Sequence, residues 1–267
     1  MSEYVTTTFG DRVAYDRRGT GPALIFVAGA GPYRAIDPWT TETAELMADT
    51  GVQTIVYDRL GRGESVADGR LDLDRDLAAL AALIEVAGGS AVLCGHSSGC
   101  SISLIAAARG LAVTGLVLWE PPFGSLDGGA REWADEVERR IDAGDLEGAL
   151  EHYMKDMPPE WLEGARQSPD YPLYVSQVVS YLADGESLAW VESAPLDELL
   201  RDIRVPVEVL LGQETFPELF DSAEAIVAAV PGARWRQVPG ADHSWEPAPM
   251  AHELTGFVTA VAARSVS

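Results

Sequence analysis

A five-residue stretch, Gly95-His96-Ser97-Ser98-Gly99, separates an apolar run of strand character, Ser90-Ala91-Val92-Leu93-Cys94, from an apolar run of helical character, Cys100 to Arg109. Few residue choices allow so short a junction. A strand that turns directly into a helix forces its central residue, Ser97, into a cramped backbone conformation and lifts that side chain above the sheet, so the positions two before and two after must lack a Cβ. Gly95 and Gly99 meet that requirement. The helix that follows brings the positive end of its dipole next to the Ser97 hydroxyl, where negative charge on an oxygen is favoured. The pattern predicts a strand, a sharp turn and a helix that present Ser97 as a candidate nucleophile.

The same alternation of strand and helix runs along the chain. Ala23 to Val27, bounded by Thr20-Gly21-Pro22 and by Ala28-Gly29-Ala30-Gly31-Pro32, is a continuous apolar run of the kind buried on both faces of a parallel sheet. Val52–Tyr57, Ala91–Cys94, Gly115–Trp119, Val205–Leu211 and Arg234–Val238 read as further strands. Helical spacing recurs at 38–50, 73–86, 98–109, 217–230 and 249–263. A hairpin of Tyr4–Thr8 and Arg12–Asp16 precedes them. This order predicts an α/β fold, with a mostly parallel central sheet of about eight strands flanked by helices. After Pro121-Pro122 the alternation stops, and aromatic residues such as Trp133, Tyr153, Trp161 and Tyr181 recur in a helical pattern. Residues 121–204 are thus expected to form a helical lid inserted after the sixth strand, with 1–120 and 205–267 as the core.

Composition narrows the partners. With 42 acidic residues against 19 lysines and arginines, the formal net charge of −23 disfavours nucleic acid and anionic membranes, both of which select basic surfaces. No apolar stretch of roughly eighteen residues appears, and the N-terminus lacks a basic segment followed by an apolar core, so a soluble, cytoplasmic protein is expected. Cys94 and Cys100 have neither metal-ligand nor redox spacing and read as buried apolar residues. The expected partner is a small-molecule substrate, with no cofactor, no metal and a homodimer left open.

Three blocks, in this order and spacing, resemble the α/β-hydrolase fold family from about Thr7 to Ala263. They are Tyr57-Asp58-Arg59-Leu60-Gly61-Arg62-Gly63-Glu64-Ser65, the Gly95–Gly99 turn, and Gly240-Ala241-Asp242-His243. With Glu120-Pro121-Pro122 they are especially similar to an actinobacterial-type branch of that family. The first block reads chiefly as a tight, self-bonded turn. A serine hydroxyl needs an adjacent base, and the resemblance implies His243, in a loop above the turn, ahead of His96, His152 and His252. Many members carry an aspartate three residues after the glycine that ends the seventh strand. Here the position three after Gly212 is Thr215, which supplies no charge, so three readings stay open: Glu120 at the end of the sixth strand orients His243, Glu214 does, or no acid does. Glu120 is favoured, since some members place the acid there. Asp242 adjoins His243 but is expected to face away. The resemblance further implies backbone N–H groups of Ala30 and Ser98 as the oxyanion hole.

Together these readings predict a serine hydrolase of a carboxylic ester, thioester or lactone of a small to medium apolar substrate, working through an acyl-enzyme. Carbon–carbon bond hydrolysis or a biosynthetic cyclisation on the same scaffold is the rival chemistry. A non-catalytic ligand-binding protein that keeps the shell is the rival from another class.

Overall fold

In the computed structural model, residues 2–123 and 129–265 are described. Among these described residues nine strands, β1 (Glu3–Thr6), β2 (Arg12–Arg18), β3 (Ala23–Val27), β4 (Gln53–Tyr57), β5 (Ala91–His96), β6 (Val113–Trp119), β7 (Val207–Glu214), β8 (Arg234–Ala241) and β9 (Ser244–Trp245), form one sheet in the order β1-β2-β4-β3-β5-β6-β7-β8-β9. Neighbouring strands from β4 across to β8 run parallel, β1 and β2 are antiparallel additions at one edge, and β9 is antiparallel to β8 at the other. The ninth strand exceeds the expected count because β8 continues past Val238 to Ala241 and folds back after two residues.

Side-chain alternation divides the sheet's two faces cleanly. Ile25, Leu93, Leu116, Leu118 and Val209 face α2 (Leu73–Val86), α3 (Ser98–Ala108) and α10 (Glu218–Ala229). Leu24, Phe26, Val92, Cys94, Val117 and Trp119 face α1 (Pro38–Ala48) and α11 (Pro247–Ser265). All five residues of β3 are buried. Each such Val, Leu, Ile or Phe side chain removed from water stabilises the fold by about 1.5–3 kcal/mol, and this two-faced burial explains why the central strands are unbroken apolar runs. Asp37 and Asp72 accept backbone N–H bonds from Thr40 and Arg75 at the starts of α1 and α2.

Between β6 and β7 lie α4 (Ala130–Asp142), α5 (Leu146–Tyr153), α6 (Pro159–Gln167), α7 (Tyr171–Gln177), a 3-10 turn Val178–Tyr181, α8 (Leu182–Val191) and α9 (Leu196–Leu199). Val137, Leu150, Tyr153, Val178 and Tyr181 give these helices a small core of their own. α8 packs on α3, where Ser101 Oγ and Ser187 Oγ are 2.7 Å apart, so α3 is buried on the sheet side and on the far side alike. Among the described residues no helix is long and apolar enough to cross a membrane.

The close approach of α3 to β3 depends on Gly99, where an added Cβ would lie 2.1 Å from the Val27 carbonyl oxygen. Gly99→Ala should therefore destabilise the protein by more than about 2 kcal/mol, read as a lower denaturant midpoint.

Candidate active site

Four residues other than glycine have positive φ among the described residues: Ser97 (55°), Glu120 (47°), Asp242 (50°) and His243 (65°). Such backbone costs a residue with a side chain roughly 1–2 kcal/mol and persists where surrounding structure enforces it. Three of the four are the residues that the sequence proposes for the chemistry. They follow the carboxyl ends of β5, β6 and β8, on the edge of the sheet where open α/β folds gather their sites.

Ser97 follows β5 and caps α3 with φ 55° and ψ −128°. Its N–H donates to the Trp119 carbonyl at 3.0 Å and its carbonyl accepts from Cys100 N–H at 2.9 Å, so the turn is tied to both β6 and α3. A Cβ at Gly95 would lie 2.6 Å from the Gly99 oxygen, and one at Gly99 would meet the Val27 carbonyl, which accounts for the two flanking glycines. Gly29 lies against the same turn, its hypothetical Cβ only 2.8 Å from Ser97 Cβ.

Glu120 leaves the end of β6 with its side chain 1% exposed. Oε1 accepts the Gly212 N–H at 2.9 Å, and Oε2 meets His243 Nδ1 at 2.5 Å. A Cβ at Gly212 would lie 3.0 Å from Oε1, so that glycine makes room for the carboxylate. Burial alone would raise the Glu120 pKa, but the bonds and charge supplied by His243 and the Gly212 N–H outweigh it and hold the carboxyl below its ordinary range. Thr215, in the position the family resemblance leaves without a charge, points its buried hydroxyl at this carboxyl without a hydrogen bond of regular geometry. Glu214 is exposed at the end of β7, and Asp242 is exposed as well.

His243 is the second residue of a two-residue turn between β8 and β9, and the positive φ values at Asp242 and His243 are those of a type I′ hairpin. Its carbonyl accepts from Trp119 Nε1 at 3.2 Å and from His96 Nε2 at 3.0 Å. The His96 and His243 rings are 4.9 Å apart, and Trp245, packed against His96, donates to Thr43 at 2.9 Å. With a proton on Nδ1 directed at Glu120, Nε2 of His243 is left as the basic nitrogen. His96 is buried under it and held neutral, its pKa pushed down to about 3 by burial and then by His243. No hydrogen bond joins the Ser97 hydroxyl to His243 among the described residues; the ring of the adjoining His96, bonded to the His243 carbonyl, links the two turns.

Ser98 opens α3 directly after Ser97, and Ala30 lies in the segment after β3, next to the Gly29 that approaches Ser97. From the helices between β6 and β7, Trp161 stands 6.1 Å from the His243 ring and 5.9 Å from Phe216. Phe216 escaped the sequence reading, and its only signal was its place directly after Thr215. His152 lies on α5 and His252 is exposed on α11. Among the described residues no group of three or more His, Cys, Asp or Glu side chains is placed to hold a metal ion.

The model of the Alpha/beta hydrolase family matches residues 24–255. The chain belongs to the alpha/beta hydrolase family. Among solved structures, an alpha/beta hydrolase from Sphaerobacter thermophilus is 27% identical, with a TM-score of 0.80 over 96% of this chain and 99% of that one. A thermophilic esterase from Thermogutta terrifontis is 22% identical, with a TM-score of 0.67 over 99% and 98%. An esterase from Rhodococcus sp. is 19% identical, with a TM-score of 0.62 over 97% and 99%. The last two likenesses are of fold. No curated protein sequence matches.

The buried neutral His96 carries a pH signature. Unfolded, it takes up a proton near pH 6.5, whereas folded it does so near 3, so the unfolded chain binds more protons in between and stability falls as pH drops through that window. From pH 6.5 to pH 5 this contributes a loss on the order of 2 kcal/mol. His96→Gln, which keeps a donor for the His243 carbonyl, should show a smaller decrease in urea midpoint between pH 7 and pH 5 than the parent protein.

Proposed function

We propose that this hydrolase cleaves a carboxylic ester, thioester or lactone through a covalent acyl-enzyme on Ser97. The observation that carries the reading is the 2.5 Å contact between His243 Nδ1 and Glu120 Oε2, made by strained residues on two strand ends beside the Ser97 turn. A buried carboxylate on one ring nitrogen is what turns the other into an effective base. The esterases among the structural neighbours support the substrate class, and the GHSSG and EPP segments support the actinobacterial-type branch.

In the proposed reaction His243 Nε2 takes the Ser97 proton as Oγ bonds to the substrate carbonyl carbon. The carbonyl electrons move to its oxygen, which the Ala30 and Ser98 N–H groups receive. As that oxygen re-forms its double bond, the alcohol or thiol leaves with the proton from His243, and the acyl group stays on Ser97. Water, deprotonated by the same nitrogen, then attacks; the acid is released and Ser97 regains its proton. Glu120 holds the ring tautomer and stabilises the imidazolium throughout. The helices α4 to α9 act as the lid expected over 121–204, of which 124–128 lie outside the described residues; Trp161 from α6 and Phe216 after β7 supply an apolar wall that suits a small to medium acyl or aromatic group.

Ser97→Ala should abolish both turnover of an activated aryl ester and labelling by a fluorophosphonate probe while circular dichroism is unchanged; undiminished turnover would refute the assignment, and absence of labelling in the parent protein would favour a binding role. Glu120→Gln should lower kcat by about a thousandfold or more, whereas Glu214→Gln should change it little. Because Thr215 faces the same carboxyl, adding Thr215→Asp to Glu120→Gln should recover part of the lost kcat.

A further inference from the structure

Behind the Ser97 turn lies a cluster of four charged side chains with almost no solvent exposure: Arg59, Arg62, Asp76 and Asp184. The two arginines belong to the Asp58–Ser65 block, which also makes the tight turn that its glycines suggest: Asp58 accepts from Glu64 N–H at 2.8 Å and Gly61 N–H donates to the Ser65 carbonyl at 2.8 Å. Their guanidinium groups serve other elements. Arg59 pairs with Asp76 Oδ2 on α2 and, at 2.5 Å, with Asp184 Oδ1 on α8. Arg62 pairs with Asp184 Oδ2 at 2.8 Å and donates to Ser180 Oγ at 2.8 Å. Arg59 Nη1 also donates to the carbonyls of Ala28 and Gly29, at 3.1 and 3.3 Å, and Arg62 Nη1 donates to that of Gly29 at 2.5 Å. Asp184 Oδ1 additionally accepts the Ser98 hydroxyl at 2.6 Å.

We propose that Asp184, Arg59 and Arg62 are positioning residues that aim the two oxyanion donors; this rests on the acyl-enzyme reading above. The Gly29 carbonyl and the Ala30 N–H belong to one planar trans peptide, so they point in opposite directions. Two guanidinium groups gripping the carbonyl oxygen fix the direction of the N–H. They also polarise the peptide, which strengthens the N–H as a donor. The Ser98 N–H is set by the same carboxylate through the Ser98 hydroxyl. Asp184 comes from the helices between β6 and β7, so the donor pair is complete only when α8 is docked on α3. Burying four charges in three ion pairs brings little net stability compared with an apolar cluster of the same volume, which leaves orientation as the gain.

The test uses the full-length protein and three variants: Asp184→Asn, Arg62→Lys, and Ser98→Ala, which keeps its N–H and removes one bond to Asp184. An activated aryl ester reports kcat and KM, a fluorophosphonate reports the acylation rate of Ser97, and an alkyl boronic acid reports affinity for a tetrahedral adduct. Expected for Asp184→Asn and Arg62→Lys is a drop of about tenfold to a hundredfold in kcat, in labelling rate and in boronate affinity alike, with KM within about twofold. Ser98→Ala should shift the same three readouts in the same direction by a smaller factor, and it decides the matter if the two buried-charge variants fail to fold. Folded variants with parent-like kcat and boronate affinity, or with a change in KM alone, would overturn the positioning role. Failure of the parent protein to label at Ser97 would instead overturn the acyl-enzyme reading.

Discussion

A single contact between a carboxylate and an imidazole joins the end of β6 to the turn after β8, and the backbone around it is built to keep it. Glu120 is 1% exposed, where an isolated charge would be strongly disfavoured. It remains ionised because the Gly212 N–H occupies one oxygen and His243 the other. The two residues stand at the ends of strands separated by β7, so the contact spans the width of one strand. Glu120 and both residues of the Asp242-His243 turn have left-handed φ, and the carbonyl of His243 accepts from Trp119 and His96, which holds the turn in place.

Much of this was legible in the residues. Glycine spacing gave the Ser97 turn because steric exclusion at positions 95 and 99 has no other economical solution, and unbroken apolar runs gave the parallel sheet because both of its faces are covered. The choice of Glu120 over the exposed Glu214 as the partner of His243 could be weighed but not settled, since it depends on how far β6 and β7 extend in space. The two-residue hairpin at Asp242-His243 was hidden: type I′ turns favour Asn-Gly or Asp-Gly, and Asp-His carries no such signal. Phe216 was equally silent, because an aromatic after a strand packs in a core more often than it lines a site.

The Arg59 and Arg62 pairing shows a different limit of local reading. Their own loop accounts for their backbone bonds, yet both side chains meet Asp184, more than a hundred residues further along the chain, and Arg59 meets Asp76 as well. Charge opposite charge at that separation leaves no periodic trace. It also explains how an acidic protein uses scarce cations: buried where each guanidinium meets both a carboxylate and a backbone carbonyl, they do more than balance charge at a surface, where a single pair contributes about 0–1 kcal/mol.

The wide separation of Glu120 and His243 along the chain, 123 residues, has a consequence for synthesis. A nascent polypeptide that has emerged through β7 already has its serine turn and its carboxylate, but on the proposed roles it has no base. Competence would arrive late, with the β8–β9 hairpin, once most of the sheet is in place to receive it. Unfinished or truncated products would then be chemically idle in the cell.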